Sequence, residues 1–535
     1  LSQRNGEFIL SREEIDNESE NGVALIPRQL SAIAVSCAIL FLLGGRAFAQ
    51  FAPDFYQLRG PLDSEPPLGR LTSNVIIDLR ADSSDETVWA GTGQGISYYV
   101  PTGDHWNSYG ESQGLGKGGA SALVWTDSII WSAFAFDTTV GVSGAGGGVA
   151  YSRDGGDNWT WVPQPRDSHV TVNEQGYSDE LGYWPTTTNV DNITYDIALS
   201  DSFVWTTSKG GGLRRHRWAA DYTDFYHWEV VTPDTQKFHP AANLNHIAFA
   251  VVFAEGTLWV GTAGGINKST DEGRTWTNYD HLSSGISGNF ITALAWQEWN
   301  HTLWAATWRA EGATESYGVT KTTDGGATWV VVLDETKAQA VTGMLTTVRA
   351  HNFAFDDSIV YVCDDAGLWK SQDGGETWGL FPPMSDVDPT SGRKFFGPTV
   401  YSALAYEDLW VGGTEGVAVS TDMGNTWHLY QAALPLTDAA RPKDTYAYPN
   451  PYSPTRFAVV RFRYRNPSAG AVTLTIFDFS MTKVTEPVSG VMRQSGELYE
   501  VWDGRKNGEV VANGTYFYRI KKPGGEVWGK VVILD

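Results

Sequence analysis

Seven times along this chain, a short apolar strand centred on an aromatic residue is followed by a glycine-bearing turn, another short strand and a tight turn closing on tryptophan. The strand cores are Val88-Trp89-Ala90, Ile130-Trp131-Ser132, Val204-Trp205-Thr206, Leu258-Trp259-Val260, Leu303-Trp304-Ala305, Val360-Tyr361-Val362 and Leu409-Trp410-Val411. The closing tryptophans are Trp106, Trp159, Trp228, Trp276, Trp329, Trp378 and Trp427, spaced by 53, 69, 48, 53, 49 and 49 residues. A period of ~40–50 residues is the signature of four-stranded sheets stacked radially. Such a sheet cannot bury both faces alone, so recurrent aromatics fill the wedge between neighbours. The expectation is an all-β chain, with a seven-bladed β-propeller over residues 50–440 and its tryptophans in the core.

Five units carry a sharper local pattern: Ser152 to Trp159 (SRDGGDNW), Ser269 to Trp276 (STDEGRTW), Thr322 to Trp329 (TTDGGATW), Ser371 to Trp378 (SQDGGETW) and Ser420 to Trp427 (STDMGNTW). The aspartate can accept backbone N–H groups across the turn, the following glycine can take positive φ, and the tryptophan anchors the hairpin. The octet resembles the Asp-box, S-x-D-x-G-x-T-W, of sialidases, xyloglucan-hydrolysing glycosidases, sortilin-type receptors and the photosystem II assembly propeller. That resemblance implies a structural turn role for Asp154, Asp271, Asp324, Asp373 and Asp422, and no activity. Units one, four and seven, with Trp89-Ala90-Gly91-Thr92, Trp259-Val260-Gly261-Thr262 and Trp410-Val411-Gly412-Gly413, also resemble the propeller repeats of two-component sensor ectodomains, which implies sensing or binding.

Composition supports the strand reading: 58 Gly, 23 each of Trp, Tyr and Phe, and only 5 Met in 535 residues favour turns and aromatic strands over long helices. The formal net charge is −24, and residues 50–440 alone hold 20 basic and 47 acidic residues. A body of that sign repels polyanions, so nucleic acid is excluded as a partner. Neutral glycans, cations and basic peptides remain compatible, as does plain solubility outside the cell.

Residues 1–22 are polar, carry six acids and hold no methionine, the first in the chain being Met344. They read as a non-native extension, with Val23 as an alternative start. Residues 23–49 read as a signal peptide: Arg28, an apolar run from Leu30 to Leu43, and small residues Ala47 and Ala49 before a cleavage that leaves Gln50. The run is too short for a membrane span of ~20 residues. Cys37 lies inside the run instead of after it, which argues against a lipid anchor. Cleavage would leave Cys363 alone, so stability must come from packing without a disulfide.

Near residue 441 the pattern changes. Tyr448-Pro449-Asn450-Pro451 opens a segment with alternating strands such as Val472 to Asp478, then Trp502-Asp503-Gly504, Asn507-Gly508, Asn513-Gly514-Thr515-Tyr516-Phe517-Tyr518 and a terminal strand from Gly529. Short strands with Asn-Gly turns over ~90 residues suit an Ig-like sandwich for residues 441–535. This segment resembles the C-terminal sorting domain of type IX secretion cargo, related to the Ig-like module of the flagellar hook-capping protein. The resemblance implies the type IX machinery as a partner, and delivery to the surface or medium of a Gram-negative, Bacteroidota-like bacterium.

In a propeller the loops from second to third strand and from sheet to sheet emerge on one face. The insertions Phe134 to Gly147, Pro163 to Asn189, Thr232 to Asn245, Arg309 to Tyr317 and Pro382 to Phe396 fall there, while Arg214 to His227 falls on the other. Long loops on a rigid scaffold concentrate binding residues. Tyr183, Trp184, Trp308, Arg309 and Tyr317 are candidate ligand contacts, since aromatic rings stack on sugar faces. Asp137, Glu311 and Glu315 are the candidate catalytic carboxylates, because a glycosidase needs two of them ~5–9.5 Å apart. Ten histidines occur without metal-ligand spacing and there is no calcium loop, so neither metal nor cofactor is expected. Two readings follow: an exported, non-catalytic propeller that binds a glycan or a cell-surface protein, and a secreted glycoside hydrolase or other polysaccharide-active enzyme.

Overall fold

The computed structural model describes residues 71–82, 87–126, 129–137, 144–165, 190–217, 228–309, 314–433, 436 and 444–535. The expected extension and signal peptide lie outside these residues.

Among the described residues between Ile76 and Tyr430, seven four-stranded antiparallel sheets follow one another, each a meander in chain order. Their first strands are Ile76–Asp82, Gly119–Thr126, Thr194–Leu199, Ala248–Ala254, Phe290–Gln297, Ala350–Asp356 and Val400–Tyr406. Each packs against the first strand of the next sheet, and the last returns to Ile76–Asp82. The first strands therefore surround an axis, the arrangement of a β-propeller. The sequence-predicted apolar cores occupy the second strands, as in Thr87–Thr92 and Asp408–Gly413, and the tryptophans after the turns immediately precede the fourth, except Trp106, the second residue of His105–Tyr109. Between sheets two and three, for example, Trp131, Val162, Ile197 and Trp228 bury one another.

The aspartate turns are built by local hydrogen bonds. In the fullest example Ser371 Oγ donates to Asp373 Oδ1 (2.8 Å) and accepts from the Gly375 N–H (2.7 Å). The Thr377 N–H and hydroxyl donate to the two carboxylate oxygens at 2.9 and 2.6 Å. The same network surrounds Asp271, Asp324 and Asp422, and Asn158 replaces threonine at Asp154. Gly375 has φ 95°, and a Cβ there would meet Trp304 of the preceding sheet at 3.1 Å. Each turn thus serves two purposes: it reverses the chain and it seats against an aromatic ring of the preceding sheet, Trp89, Trp205, Tyr279, Trp304 or Phe381. A lysine reinforces that contact, since Lys321 Nζ lies 5.4 Å from the Trp304 ring and donates to the Gly374 carbonyl at 2.6 Å. Among the closing tryptophans, Trp329 and Trp427 are buried, and the Trp276 and Trp378 indoles each donate to a turn glycine carbonyl at 3.1 Å. Trp159, the remaining tryptophan of the five aspartate turns, packs edge-on against Trp89.

Residues 444–535 form two facing sheets. One joins Thr445–Tyr448, Val460–Asn466 and Gly496–Trp502, and the other orders Lys483–Arg493, Gly470–Phe477, Gly514–Lys522 and Gly525–Ile533. Their inward residues, among them Phe462, Tyr464, Ile476, Trp502 and Tyr518, share one core.

Two insertions differ from expectation. In Phe134 to Gly147 the strand pairing continues to Asp137 opposite Gly144, so its flanks are ladder. The start of Arg214 to His227 is likewise strand, within Gly212–Arg217.

Candidate functional site

All seven first strands carry a bulge at the same place, two residues opposing one on the second strand, where one residue is left out of the ladder. The register passes over Ile77, Ser121, Tyr195, Phe249, Thr292, His351 and Tyr401. These seven residues, one from each sheet, line a small cavity of about 60 Å³ on the axis. Ile76 pairs with Thr92 and Val400 with Gly413, the last residues of their second strands. The ring therefore lies at the end of the channel bearing the second-to-third-strand loops.

Below it sit a buried carboxylate, Asp78, and a half-buried one, Asp196. Asp78 accepts from the Leu79 N–H (3.0 Å) and, across the sheet boundary, from the Leu123 N–H (3.1 Å). Asp196 repeats this with Ile197 and Val251, both at 2.9 Å. Each carboxylate staples its own strand to the next sheet. Burial raises both pKa values, that of Asp196 to about 7, against the opposing pull of those N–H groups and of Arg80. Arg80 pairs with Asp78 at 3.2 Å.

Around the mouth runs an arc of aromatic rings through five sheets. Tyr195 and Phe249 centroids are 5.4 Å apart, Phe249 and Phe290 4.4 Å, Phe290 and Trp308 6.5 Å, Trp308 and His351 6.0 Å, and His351 and Tyr401 5.1 Å. His351 is oriented from behind by Asp365, 2.9 Å from its Nε2, and Asp365 also faces Arg349 at 3.6 Å. Arg349 lies over the Tyr317 ring at 5.4 Å, and Tyr317 packs against Trp308 at 5.9 Å. Arg349 is 45% exposed and Tyr317 half-buried, so the outer rim of the arc reaches solvent.

The sequence-predicted contacts meet this site in part. Trp308 belongs to the arc but is 3% exposed, with its indole N–H on the Ala350 carbonyl at 3.2 Å. Its ring is committed to packing, which corrects the expectation that it offers a face for stacking. Tyr317 stands at the rim, and Arg309 is exposed beside Trp308. Glu315 accepts from the Asn289 backbone and side chain at 3.2 and 3.3 Å, while Asp137 is exposed at the end of a strand of sheet two. Tyr183, Trp184 and Glu311 lie outside the described residues. The bulge ring itself escaped sequence reasoning. Its signal is that each member precedes the second-strand aromatic by nine to twelve residues. Among the described residues no group of three or more His, Cys, Asp or Glu could hold a metal ion.

No family model and no curated protein matches the chain. Among solved structures it is similar to the type IX secretion component PorZ of Porphyromonas gingivalis, at 14% identity and TM-score 0.38, covering 87% of this chain and 66% of that one. It is also similar to YCF48 from Cyanidioschyzon merolae, at 14% identity and TM-score 0.39 over 66% of this chain and 95% of that one. A third is the extracellular domain of BT4673 from B. thetaiotaomicron, at 13% identity and TM-score 0.29 over 87% and 80%. None of these likenesses bears on ligand or chemistry.

Proposed function

We propose that this chain is an exported, non-catalytic binding protein: a signal peptide at 23–49, a seven-bladed Asp-box propeller at 50–440 and an Ig-like type IX sorting domain at 441–535. The propeller recognises a glycan or a cell-surface protein at the rim of its channel. The observation that carries this reading is the aromatic arc with Tyr317 and Arg349 on its outer rim, rings beside a guanidinium at a solvent-reaching edge, the residue types that stack on and hydrogen-bond to sugars and peptides. Among the described residues, the carboxylates nearest to it serve as acceptors for backbone N–H groups or as partners of His351 and Arg349, a framework use and not a proton-transfer one.

A glycan-array and polysaccharide-hydrolysis screen tests it, run on wild type and on Tyr317→Ala and Arg349→Ala. Binding that falls by roughly tenfold or more in either variant, as expected for loss of a stacking or charged contact, with no released reducing ends, supports the reading. Turnover that disappears on replacing Asp137, Glu311 or Glu315 with alanine would install the hydrolase instead. Silence on every glycan would restrict the ligand to protein.

A further inference from the structure

Asn74, two residues before the first sheet begins, ties the start of the ring to its end. Its side chain exchanges two hydrogen bonds with Ala432 just past the seventh sheet, Nδ2 to the carbonyl at 3.1 Å and Oδ1 from the N–H at 2.6 Å. Its carbonyl accepts from the Gly416 N–H at 2.7 Å. The residues adjoining those two in sequence, Glu415 and Gln431, carry the C-terminal domain. Glu415 Oε2 pairs with Arg461 at 2.8 Å, the two side chains 5% and 4% exposed, and accepts from the Phe396 N–H at 2.6 Å. Gln431 Oε1 accepts from the Tyr499 hydroxyl at 2.7 Å, while its Nε2 donates to the Glu415 carbonyl at 3.0 Å.

We propose that docking of the C-terminal domain and closure of the propeller ring are one coupled event, transmitted through the adjacent pairs Glu415-Gly416 and Gln431-Ala432. The docking surface is the rim of the last hairpin of sheet seven, where the loop at 415 and the strand exit at 431 lie side by side because Val417 pairs with Tyr430, and the Asn74 bonds fix that rim to the segment that enters sheet one. An open ring removes the bonds that fix the Gly416 and Ala432 backbone, and so loosens the neighbouring Glu415 and Gln431 side chains that meet Arg461 and Tyr499. Conversely, a docked domain holds the two segments where Asn74 must find them. The third part of the surface is the Pro382 to Phe396 insertion, whose Thr390 carbonyl accepts from the Gln494 N–H at 3.3 Å. Burial of the Arg461–Glu415 pair makes the geometry exacting, because either charge left without the other would be costly. The C-terminal domain thereby reads whether the first and last sheets have met.

Coupling is reciprocal, which supplies the test. Hydrogen–deuterium exchange is followed in the full chain for wild type, Asn74→Ala, Arg461→Met and the double variant. Arg461→Met, a change outside the propeller, is expected to accelerate exchange of the Gly416 and Ala432 amides by about 5–150-fold, the range of ordinary coupling energies. Asn74→Ala is expected to do the same at the Phe396 and Gln494 amides in the interface. The double variant should add little to either single change. If Arg461→Met and Tyr499→Phe free the interface amides while Gly416 and Ala432 exchange at wild-type rates, the proposal is overturned. Full additivity in the double variant overturns it too. Should Asn74→Ala fail to fold, the Arg461 and Tyr499 variants still decide the matter.

Discussion

Asp196 shows how a single carboxyl can act against stability at neutral pH while organising the fold. Both its oxygens hold backbone N–H groups, one of them on the next sheet, yet burial pushes its pKa up to about 7 from an ordinary 3.8. The turn aspartates Asp271, Asp324, Asp373 and Asp422 go the other way, held at about 2 by hydrogen bonds from the threonine four residues on. The signs of their pH effects are opposite. Between about pH 4 and 7 the folded chain keeps a proton on Asp196 that the unfolded chain has lost, so stability declines as pH rises through that window. The turn aspartates contribute fully above about pH 4 and lose that contribution as pH falls toward 2. Urea unfolding at successive pH values is expected to show a smaller decline from pH 4 to 7 in Asp196→Asn than in wild type, by roughly one proton in the linkage slope. Asp364, raised to about 6, keeps its own share in the variant. Parallel curves would mean that Asp196 is ionised throughout.

At the scale of the turn and the strand, what was readable depended on distance along the chain. The aspartate turn closes within eight residues, so its serine, aspartate, glycine and tryptophan all lie in one short window. Ser371 is the test of that local logic: it is 1% exposed and its oxygen holds the Gly375 N–H. Ser371→Ala strands that donor, which is expected to cost about 1–3 kcal/mol in urea unfolding, whereas Ser480→Ala on an exposed turn should fall within about 0.5 kcal/mol. Equal effects would mean that water satisfies the Gly375 amide. The bulge ring, by contrast, is a property of register between two strands, and no residue type marks it, since isoleucine, serine, tyrosine, phenylalanine, threonine and histidine all serve. Trp308 was legible as an aromatic beside a loop but not as a buried member of an arc, because its partners Phe290 and His351 come from the preceding strand and the following sheet. The Pro382 to Phe396 insertion read as a ligand loop, yet its Thr390 meets Gln494 about a hundred residues on, a contact no local pattern announces.

For the molecule as a whole, charge sets a final constraint. Residues 50–440 hold 47 acids and 20 bases, so even if every base were paired, most carboxylates would have no cationic partner. Among the described residues, buried Asp78 and half-buried Asp196 are held by backbone N–H groups, and buried Glu415 by Arg461. Like charges spread over a closed body repel, and that repulsion is a cost the folded state bears more heavily than an expanded chain. Screening should relieve it. Raising NaCl from 0.01 to 0.15 M shortens the Debye length from ~30 to ~8 Å, less than the span of one sheet of five- to seven-residue strands (about 17–24 Å). The thermal midpoint of the full chain at pH 7.5 is therefore expected to rise across this range, and to rise less at pH 4.5, where part of the carboxylate charge is already gone. Because the Arg461–Glu415 pair is buried, its contribution should change little with salt. A midpoint that falls with salt would mean that attractive pairs outweigh the net repulsion, and that the acidic excess is distributed so as to keep like charges beyond each other's reach.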